Sequence, residues 1–518
     1  MISRIKGDVF GGITAAVIAL PLALAFGVAS GLGAVAGLYG AIVLGFLAAL
    51  FGGTNTQISG PTGPMTVVIA SAVIYFSGDL DAIVLVILLA GVIQILFGLM
   101  KLGRFVKFIP YPVISGFMSG IGVIIIVLEI NPFIGVEGSS SVIQTLLSLP
   151  DSLSQTNLSA LAVASLALAV MLFTPQKVGR IIPAPLLALI VATACSLVFK
   201  LPVQTVGEIP LSLPSFRLPE IDWSDIHKLE HILSFALTLA LLGVIDTLLT
   251  SLVADSVTKT KHNPNKELIG QGIGNSCTAL LGGLAGAGAT MRTVVNIKSG
   301  GTSKLSGMVH AVVLLLIVLF FAPIAAQIPL PVLAGILFKV GIDIVDYRFL
   351  KVINKAPRMD MVIMLVVFTL TVFVNLVVAV GIGIVMASIL TVYRVTSEAN
   401  VDIQEHLKVE LDVKDKKIRT VNINGAFFFG SASIFEEQVS KALDVDTIVI
   451  NCLNVPFMDI SAVFTLHELV LKMRSQDIQV VLILKERHIN KVNKLFDSMT
   501  LQNIQICSSL EDYQRLET

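Results

Sequence analysis

Charge is what this chain has least of. Only 14% of its 518 residues are Asp, Glu, Lys or Arg, where soluble domains carry roughly 25%. Basic and acidic residues number 35 each, so the formal net charge is zero. Without a basic excess to neutralise phosphates, nucleic acid is excluded as a partner. Cysteine is equally sparse. Cys195, Cys277, Cys452 and Cys507 include no C-x-x-C pair, so neither a disulfide framework nor a zinc site follows. No phosphate-binding loop, cofactor fingerprint or nucleophile–base set interrupts the sequence, and nothing in it indicates an enzyme.

Apolar residues fill the space left by charge. They make up 55% of the chain, and mean hydropathy is +0.89. Several runs reach the ~20 residues that cross a bilayer, so the chain is a polytopic α-helical membrane protein with the lipid bilayer as its solvent. Arg4 and Lys6 before an apolar run resemble a signal peptide, but Val9 to Ser30 lacks a cleavage site and reads as the first span. The expected spans are 9–29, 33–51, 62–77, 80–100, 111–128, 157–174, 182–200, 231–256, 267–285, 290–299, 305–322, 330–345, 360–376 and 377–394. Basic residues follow the even-numbered spans: Lys101 and Arg104 after the fourth, Lys177 and Arg180 after the sixth, Lys259 and Lys261 after the eighth, Arg348 and Lys351 after the twelfth. By the positive-inside rule this puts the N-terminus in the cytoplasm. Fourteen spans divide into seven and seven. An odd number per half makes the second half (about 231–394) enter from the side opposite to the first (about 9–200), as an inverted repeat.

Composition changes near residue 397, which divides a transporter domain, 1–396, from a soluble domain, 397–518. The expected elements there are strands 407–413, 418–430, 446–452, 478–485 and 503–507. Helices are expected at 433–443, 460–476, 488–499 and 510–517. Alternating strands and helices indicate a small α/β domain. It is cytoplasmic, because it follows an even span.

Two glycine-rich stretches echo each other across the halves. One is Ser59-Gly60-Pro61-Thr62-Gly63-Pro64-Met65-Thr66-Val67-Val68. The other is Gly286-Ala287-Gly288-Ala289-Thr290-Met291-Arg292-Thr293-Val294-Val295-Asn296. Interrupted hydrophobic segments in matching positions point to a transporter's binding site. Irregular backbone is tolerated at membrane depth only where it lines a cavity. The following short spans then start near the midplane, each N-terminus carrying roughly +0.5 of a charge. Two such ends suit a monovalent anion, with Thr62 and Thr290 as hydroxyl donors.

Asp246 lies alone within the apolar run 236–250. A carboxylate there costs roughly 2.5–3.5 kcal/mol to insert, which makes it a functional-site candidate. Thr250 is one turn further on the same face. With a freed carbonyl such as that of Gly288, these oxygens make a cage for a hard cation, and sodium is the natural candidate. The competing reading is an ion pair between Asp246 and Arg292. Glu129, beside Asn131-Pro132, reads as interfacial. Gln94 and Asn296 read as interhelical hydrogen-bonders, and His227 and His231 stand at a possible metal spacing.

These residues resemble the sulfate permease (SulP) family. The resemblance runs over nearly the whole chain, from Leu20-Pro21-Leu22-Ala23-Leu24-Ala25-Phe26-Gly27 through both glycine-rich stretches to the tail. Within the family it is closest to sodium-dependent bicarbonate transporters. The resemblance implies fourteen helices in an inverted repeat, split into a core (spans 1–4 and 8–11) and a gate (spans 5–7 and 12–14), with a C-terminal STAS domain and a homodimer in the plasma membrane. It implies a sodium site at Asp246, Thr250, Gly288 and Thr290, and a substrate site at Thr62, Gly63, Ala289 and Thr290, lined by Phe26. The implied activity is sodium-driven uptake of bicarbonate. Phe457-Met458-Asp459-Ile460-Ser461-Ala462 matches the loop with the phosphorylatable serine of anti-sigma-factor antagonists, so Ser461 is a regulatory candidate, or simply a helix N-cap. Proton-coupled or exchanging transport of sulfate or a dicarboxylate is one alternative. A membrane sensor that signals through its STAS domain is another.

Overall fold

The computed structural model describes the chain apart from residues 1, 105–109, 139–140, 180–181, 208–215, 221–224, 353–354, 375, 398–399, 407–416, 441–444, 510–511 and 513–518. The chain divides into two compact units, Met1–Ile384 and Val385–Thr518.

The first unit is helical. Its elements are α1 (Ile2–Ala29), α2 (Ala34–Phe51), a short strand β1 (Ser59–Gly60), α3 (Gly63–Tyr75), α4 (Leu80–Leu99), α5 (Tyr111–Leu128), α6 (Ile130–Phe133), α7 (Val142–Ser154), α8 (Leu158–Phe173), α9 (Gln176–Gly179) and α10 (Ala184–Val198). Then follow α11 (Ile226–Thr258), α12 (Pro264–Leu280), β2 (Ala287–Gly288), α13 (Thr290–Lys298), α14 (Lys304–Ala325), α15 (Leu330–Ile344), α16 (Tyr347–Val352), α17 (Arg358–Phe373) and α18 (Leu376–Ser397). Each predicted span coincides with a helix. Among the described residues, seven helices are long and apolar enough to cross a membrane. The span expected at 267–285 stops at Leu280, and the chain then leads into β2. The sequence reading missed α7, which meets α8 at a 120° bend.

Local chemistry sets the helix starts. Asp79 accepts from the N–H groups of Asp81 and Ala82 to cap α4, and Asn263 accepts from that of Lys266 to cap α12. Proline stands in the first turn of α3, α5, α10, α12 and α15, where its missing donor costs nothing.

Packing sorts the helices into two groups. Helices α1 to α4 pack with α11 to α14, and α5, α8, α10, α15 and α17 pack with one another. The first group matches the expected core, and the second holds the expected gate apart from α18, the fourteenth span. Close approach in the first group depends on small residues. A Cβ added to Gly272 of α12 would lie 2.5 Å from the carbonyl oxygen of Gly91 on α4. The groups meet where α1 touches α10 and α15, and where α3 touches α5.

The second unit holds a five-stranded sheet in the order β3 (Asn400–His406), β4 (Ile418–Asn424), β5 (Thr447–Asn451), β6 (Gln479–Ile483) and β7 (Gln505–Cys507). The first pair is antiparallel and the rest are parallel. β5 is buried at every position, which explains its unbroken apolar run. Helices α19 (Ala432–Ser440), α20 (Ile460–Arg474), α21 (Glu486–Leu495) and α22 (Ser498–Leu501) complete the unit. The rings of Phe427 and Phe435 meet edge-on at 4.8 Å in its core.

Several boundaries differ from expectation. The division between units falls inside α18, earlier than the change at 397. The expected strand 407–413 lies outside the described residues, and β3 precedes it. The expected strand 418–430 ends at Asn424, because Gly425 turns the chain at φ 95°. The helix expected at 488–499 is two, since Asp497 caps a new turn by accepting from the N–H of Thr500. The helix at 433–443 ends at Ser440, with 441–444 outside the described residues. The last helix, 510–517, falls outside them apart from Asp512.

Candidate functional site

The two glycine-rich stretches meet. β1 and β2 pair antiparallel, Ser59 opposite Gly288 and Gly60 opposite Ala287. The N–H of Ala289 donates to the carbonyl of Ile58 at 2.8 Å. Glycine is required at this crossing, since a Cβ on Gly286 would lie 2.1 Å from the carbonyl oxygen of Gly60. From the crossing, α3 and α13 run away, with Thr62 and Ala289 at their N-caps. Neither cap makes a side-chain hydrogen bond to the first turn, so the first N–H groups of both helices are left for a ligand.

Helix α11 supplies the third wall. Thr250 Oγ1 donates to the carbonyl of Gly288 at 3.0 Å and lies 2.7 Å from Thr290 Oγ1. Thr247 Oγ1 accepts from the N–H of Gly288 at 3.1 Å. Asp246 faces Thr62 and Arg292, yet neither its Oδ2 nor the Thr62 hydroxyl has a hydrogen-bond partner among the described residues. The two hydroxyls and the carbonyl cluster, and Asp246 stands one helical turn before Thr250 on α11; oxygens of these kinds suit a hard cation better than a soft one.

Arg292 and Asp246 form no ion pair among the described residues. The guanidinium donates from Nη2 to the carbonyl of Pro61, while Nε and Nη1 have no partner. Gln94 and Asn296 bond between helices as expected. Asn275 Nδ2 donates to Gln94 Oε1 at 2.9 Å, and Asn296 Nδ2 to Ser306 Oγ of α14 at 2.8 Å. His231 packs against the ring of Tyr75 at 4.5 Å.

A cavity of about 750 Å³ ends at this crossing, lined there by Phe26, Gly63 and Ile125. It does not reach Thr62, Ala289 or Thr290, so the expected substrate residues sit on more than one side of the half-helix ends. Thr290 is exposed, whereas Thr62 and Ala289 are buried. Glu129 faces the same cavity. It closes α5 at the end of that span, is only 7% exposed and lines the cavity wall. The chain continues past it into α6 instead of leaving the bundle at Asn131-Pro132.

The sequence reading overlooked the scaffold beneath the crossing. Glu267 Oε2 accepts from the N–H groups of Gly53 and Thr54, each at 2.7 Å. Its Oε1 accepts from Gln57 and Gln271 at 2.8 and 3.0 Å. Asn275 brackets Gly286, accepting its N–H and donating to its carbonyl, both at 3.0 Å. Glu267, Gln271 and Asn275 stand four apart on one face of α12, a polar stripe visible in the sequence.

In the second unit, Ser461 is exposed in the first turn of α20. It is not the N-cap; Asp459 is, accepting from the N–H of Ala462 at 2.8 Å.

Residues 5–367 match the Sulfate permease family and residues 409–512 match the STAS domain. The chain is 44% identical over 504 residues to the bicarbonate transporter BicA of Picosynechococcus sp., covering 93% of this chain and 88% of that one. It is 45% identical over 484 residues to BicA of Synechocystis sp., covering 90% and 85%. Sulfate transporter 4.1 of Arabidopsis thaliana is 25% identical over 520 residues, covering 92% of this chain and 75% of that one. Among solved structures, the transmembrane domain of a cyanobacterial BicA superposes with a TM-score of 0.69 at 46% identity, covering 74% of this chain and 98% of that one. SLC26A9 superposes with a TM-score of 0.85 at 18% identity, covering 99% and 90%, a likeness of fold alone.

Proposed function

From the premise that this chain belongs to the sulfate permease family, a family of transporters, we propose that it takes up bicarbonate with sodium by alternating access. The bicarbonate transporters at 44–45% identity support the substrate. The observation that carries the coupling is the oxygen cluster of Thr250, Gly288 and Thr290 beside Asp246, next to two helix N-termini without side-chain caps.

The anion sits at the ends of α3 and α13, taking hydrogen bonds from free N–H groups and the Thr62 hydroxyl. Gly63 and Ala289 keep the approach open, and Phe26 lines it. Sodium sits on Asp246, Thr250, Gly288 and Thr290. Without sodium, the Asp246 carboxylate repels the anion. Bound sodium cancels that charge, so each ion strengthens the other's binding, and the coupling is reciprocal. The core, α1–α4 with α11–α14, then carries both ions against the gate. The antiparallel β1/β2 pair is what the two-fold of an inverted fourteen-span repeat requires. The charge pattern of its loops supports a cytoplasmic N-terminus and STAS domain, and the family resemblance supports the plasma membrane as its place. It works as a homodimer, with Ser461 as a site of modification.

The test is uptake of labelled bicarbonate in proteoliposomes with sodium and bicarbonate varied independently. Each ion should lower the other's half-saturating concentration. Uptake indifferent to sodium removes the coupling, and no net flux of any anion favours a sensor. A second reading, sulfate transport, draws on Arg292, whose two unpartnered nitrogens supply the fixed positive charge a divalent anion needs. Competition by sulfate separates the two.

A further inference from the structure

The second unit begins inside α18, at Val385, so the last turns of that helix and the STAS fold belong to one compact body. The helix is apolar enough to cross a membrane over Val378–Ser397. Its final turns carry an exposed Tyr393 and a basic Arg394, residue types that gather where a span leaves the hydrocarbon. Three residues after Tyr393, Thr396 meets the STAS fold. A Cβ added to Gly430 would lie 2.7 Å from Thr396 Oγ1. The turn that contains Gly430 therefore stands at the end of the span, where bilayer gives way to water.

That turn presents an aromatic side chain outward. Phe429 is 65% exposed, although the backbone around it is fixed. Ser431 Oγ accepts from the N–H of Phe428 at 3.1 Å and donates to the carbonyl of Ala426 at 2.7 Å. The N–H of Phe429 donates to Asp459 Oδ2 at 3.1 Å, which joins the turn to the start of α20. Phe429 and Phe457 both pack on the ring of Phe428, at 5.2 and 5.7 Å. Ile460 follows Asp459, and Phe464 lies one turn beyond it. Phe457, Ile460 and Phe464 are 49%, 62% and 50% exposed. Four large apolar side chains thus share one end of the unit, and a contiguous apolar face of this kind marks an interaction surface.

Positive charge borders it. Lys485, Arg487 and Lys491 donate to the carbonyls of Val455, Pro456 and Met458, on both sides of Phe457. Residues 485–495 carry these three and Lys494 against one acid, Glu486. The acid inside the apolar face is Asp459, and its carboxylate is engaged by the N–H groups of Phe429 and Ala462. We propose that this face docks on the anionic lipid surface of the bilayer that α18 crosses. Phe429, Phe457, Ile460 and Phe464 sit among headgroups and upper acyl chains, and Arg487 and Lys491 attract the lipid phosphates. The STAS fold is then held against the membrane and does not swing on the end of α18. The docking depends on α18 as a membrane span and not on which ion the protein carries.

The experiment uses the full-length protein in nanodiscs. Trp223, the single tryptophan, is changed to Phe, and one new tryptophan is introduced by Phe429→Trp, Ile460→Trp or Leu471→Trp. Leu471 is 47% exposed and lies about three turns along α20 from Ile460. Fluorescence quenching by lipids brominated near the headgroup gives the docked-to-free ratio, in phosphatidylcholine alone and in an equal mixture with phosphatidylglycerol. Phe429→Trp and Ile460→Trp should be quenched, more strongly in the anionic mixture, and Leu471→Trp should not. Adding Arg487→Gln should lower the ratio in the anionic mixture about fivefold, whereas Arg487→Lys keeps the charge and should stay near the parent. Blue-shifted but unquenched emission at 429 and 460 shows that protein covers the face, and overturns lipid docking. Red-shifted, unquenched emission leaves the face in water and overturns it too. Equal quenching at all three positions, or a ratio indifferent to anionic lipid, also overturns it.

Discussion

Arg292 reaches across the site and donates a hydrogen bond from Nη2 to the carbonyl of Pro61. The side chain of one half-helix thus holds the residue just before the cap of the other. Its Nη1 lies against Gly60, where an added Cβ would come within 2.7 Å of it. This contact assigns the guanidinium a structural task at the crossing.

Arg292→Gln should therefore lower stability first. A hydrogen bond from a charged donor contributes about 1.5–3 kcal/mol, and its loss should reduce the thermal midpoint in detergent. Thr290→Ala should leave that midpoint nearly unchanged and raise the KM for bicarbonate at saturating sodium. Both constants come from one uptake assay beside one melting curve. A steep rise in KM for Arg292→Gln alone, with threonine changes silent, would show a site built on a fixed side-chain charge.

Gly286→Ala should be severe. The new Cβ would lie 2.1 Å from the Gly60 oxygen and 2.3 Å from its carbon, both backbone atoms unable to yield. The β1/β2 pair must then separate, and with it the two helix ends. Transport should be abolished, and folded yield should drop. Gly381→Ala is the matched comparison, because nothing lies within 4 Å of its added Cβ. Helix interiors favour alanine over glycine by roughly 0.5–1 kcal/mol, so that variant should fold as well as wild type or better. Recovery of active Gly286→Ala protein would refute the close crossing.

The crossing was legible in the sequence because both halves repeat it, and because glycine and proline are costly inside membrane helices unless they are used. Asp246 was legible because nothing near it in sequence balances its charge. The scaffold under the crossing was harder to see. Glu267, Gln271 and Asn275 stand beside Lys266 and the loop before it, so they read as the polar start of a span. Only their spacing of four marks them as one buried face. Glu129 reads as the end of a span, and it is one; that it lines a cavity depends on distant segments such as Leu330–Leu337, which no local pattern announces. Helix α7 was lost among polar serines, with Pro150 inside it. In the tail, alternation of apolar residues runs through both Val401-Ile403 and Leu407-Val413, so pattern alone did not place the strand.

In the STAS unit, Asp497 ties two helices together. The hydroxyl of Thr500 and then its N–H hold the carboxyl below the usual range, and His467 on α20 adds to this at 2.8 Å. A carboxyl lowered on folding contributes stability above its unfolded value of ~4, and loses it as pH falls through the folded value. Amide exchange protection around 498–501 should therefore fall as pH drops below ~4. In Asp497→Asn that step should disappear. A step of unchanged size in the variant would assign it to another group.

The proposed sodium site makes the sharpest demand. Thr250 and Thr290 hydroxyls lie 2.7 Å apart, and Thr250 also donates to the Gly288 carbonyl. Those hydrogen bonds hold the oxygens together, but they contribute no charge. In that proposal Asp246 supplies the negative charge that selects the cation, and its Oδ2 has no hydrogen-bond partner among the described residues. Asp246→Asn should therefore remove sodium dependence while leaving a folded protein, because Oδ2 accepts no hydrogen bond among the described residues. Even an outer-shell change costs metal sites about 10–100-fold in affinity, so loss of the charged ligand should cost at least that in sodium. Thr250→Ala should weaken sodium less, since the carboxylate remains. The effect on the anion distinguishes coupling from simple co-residence. With Asp246 neutral, the repulsion that sodium relieves is already gone, so residual bicarbonate binding should no longer respond to sodium in either direction. Binding measured by calorimetry, with sodium replaced by choline, reads this directly. A variant in which sodium still tightens bicarbonate would move the cation away from Asp246.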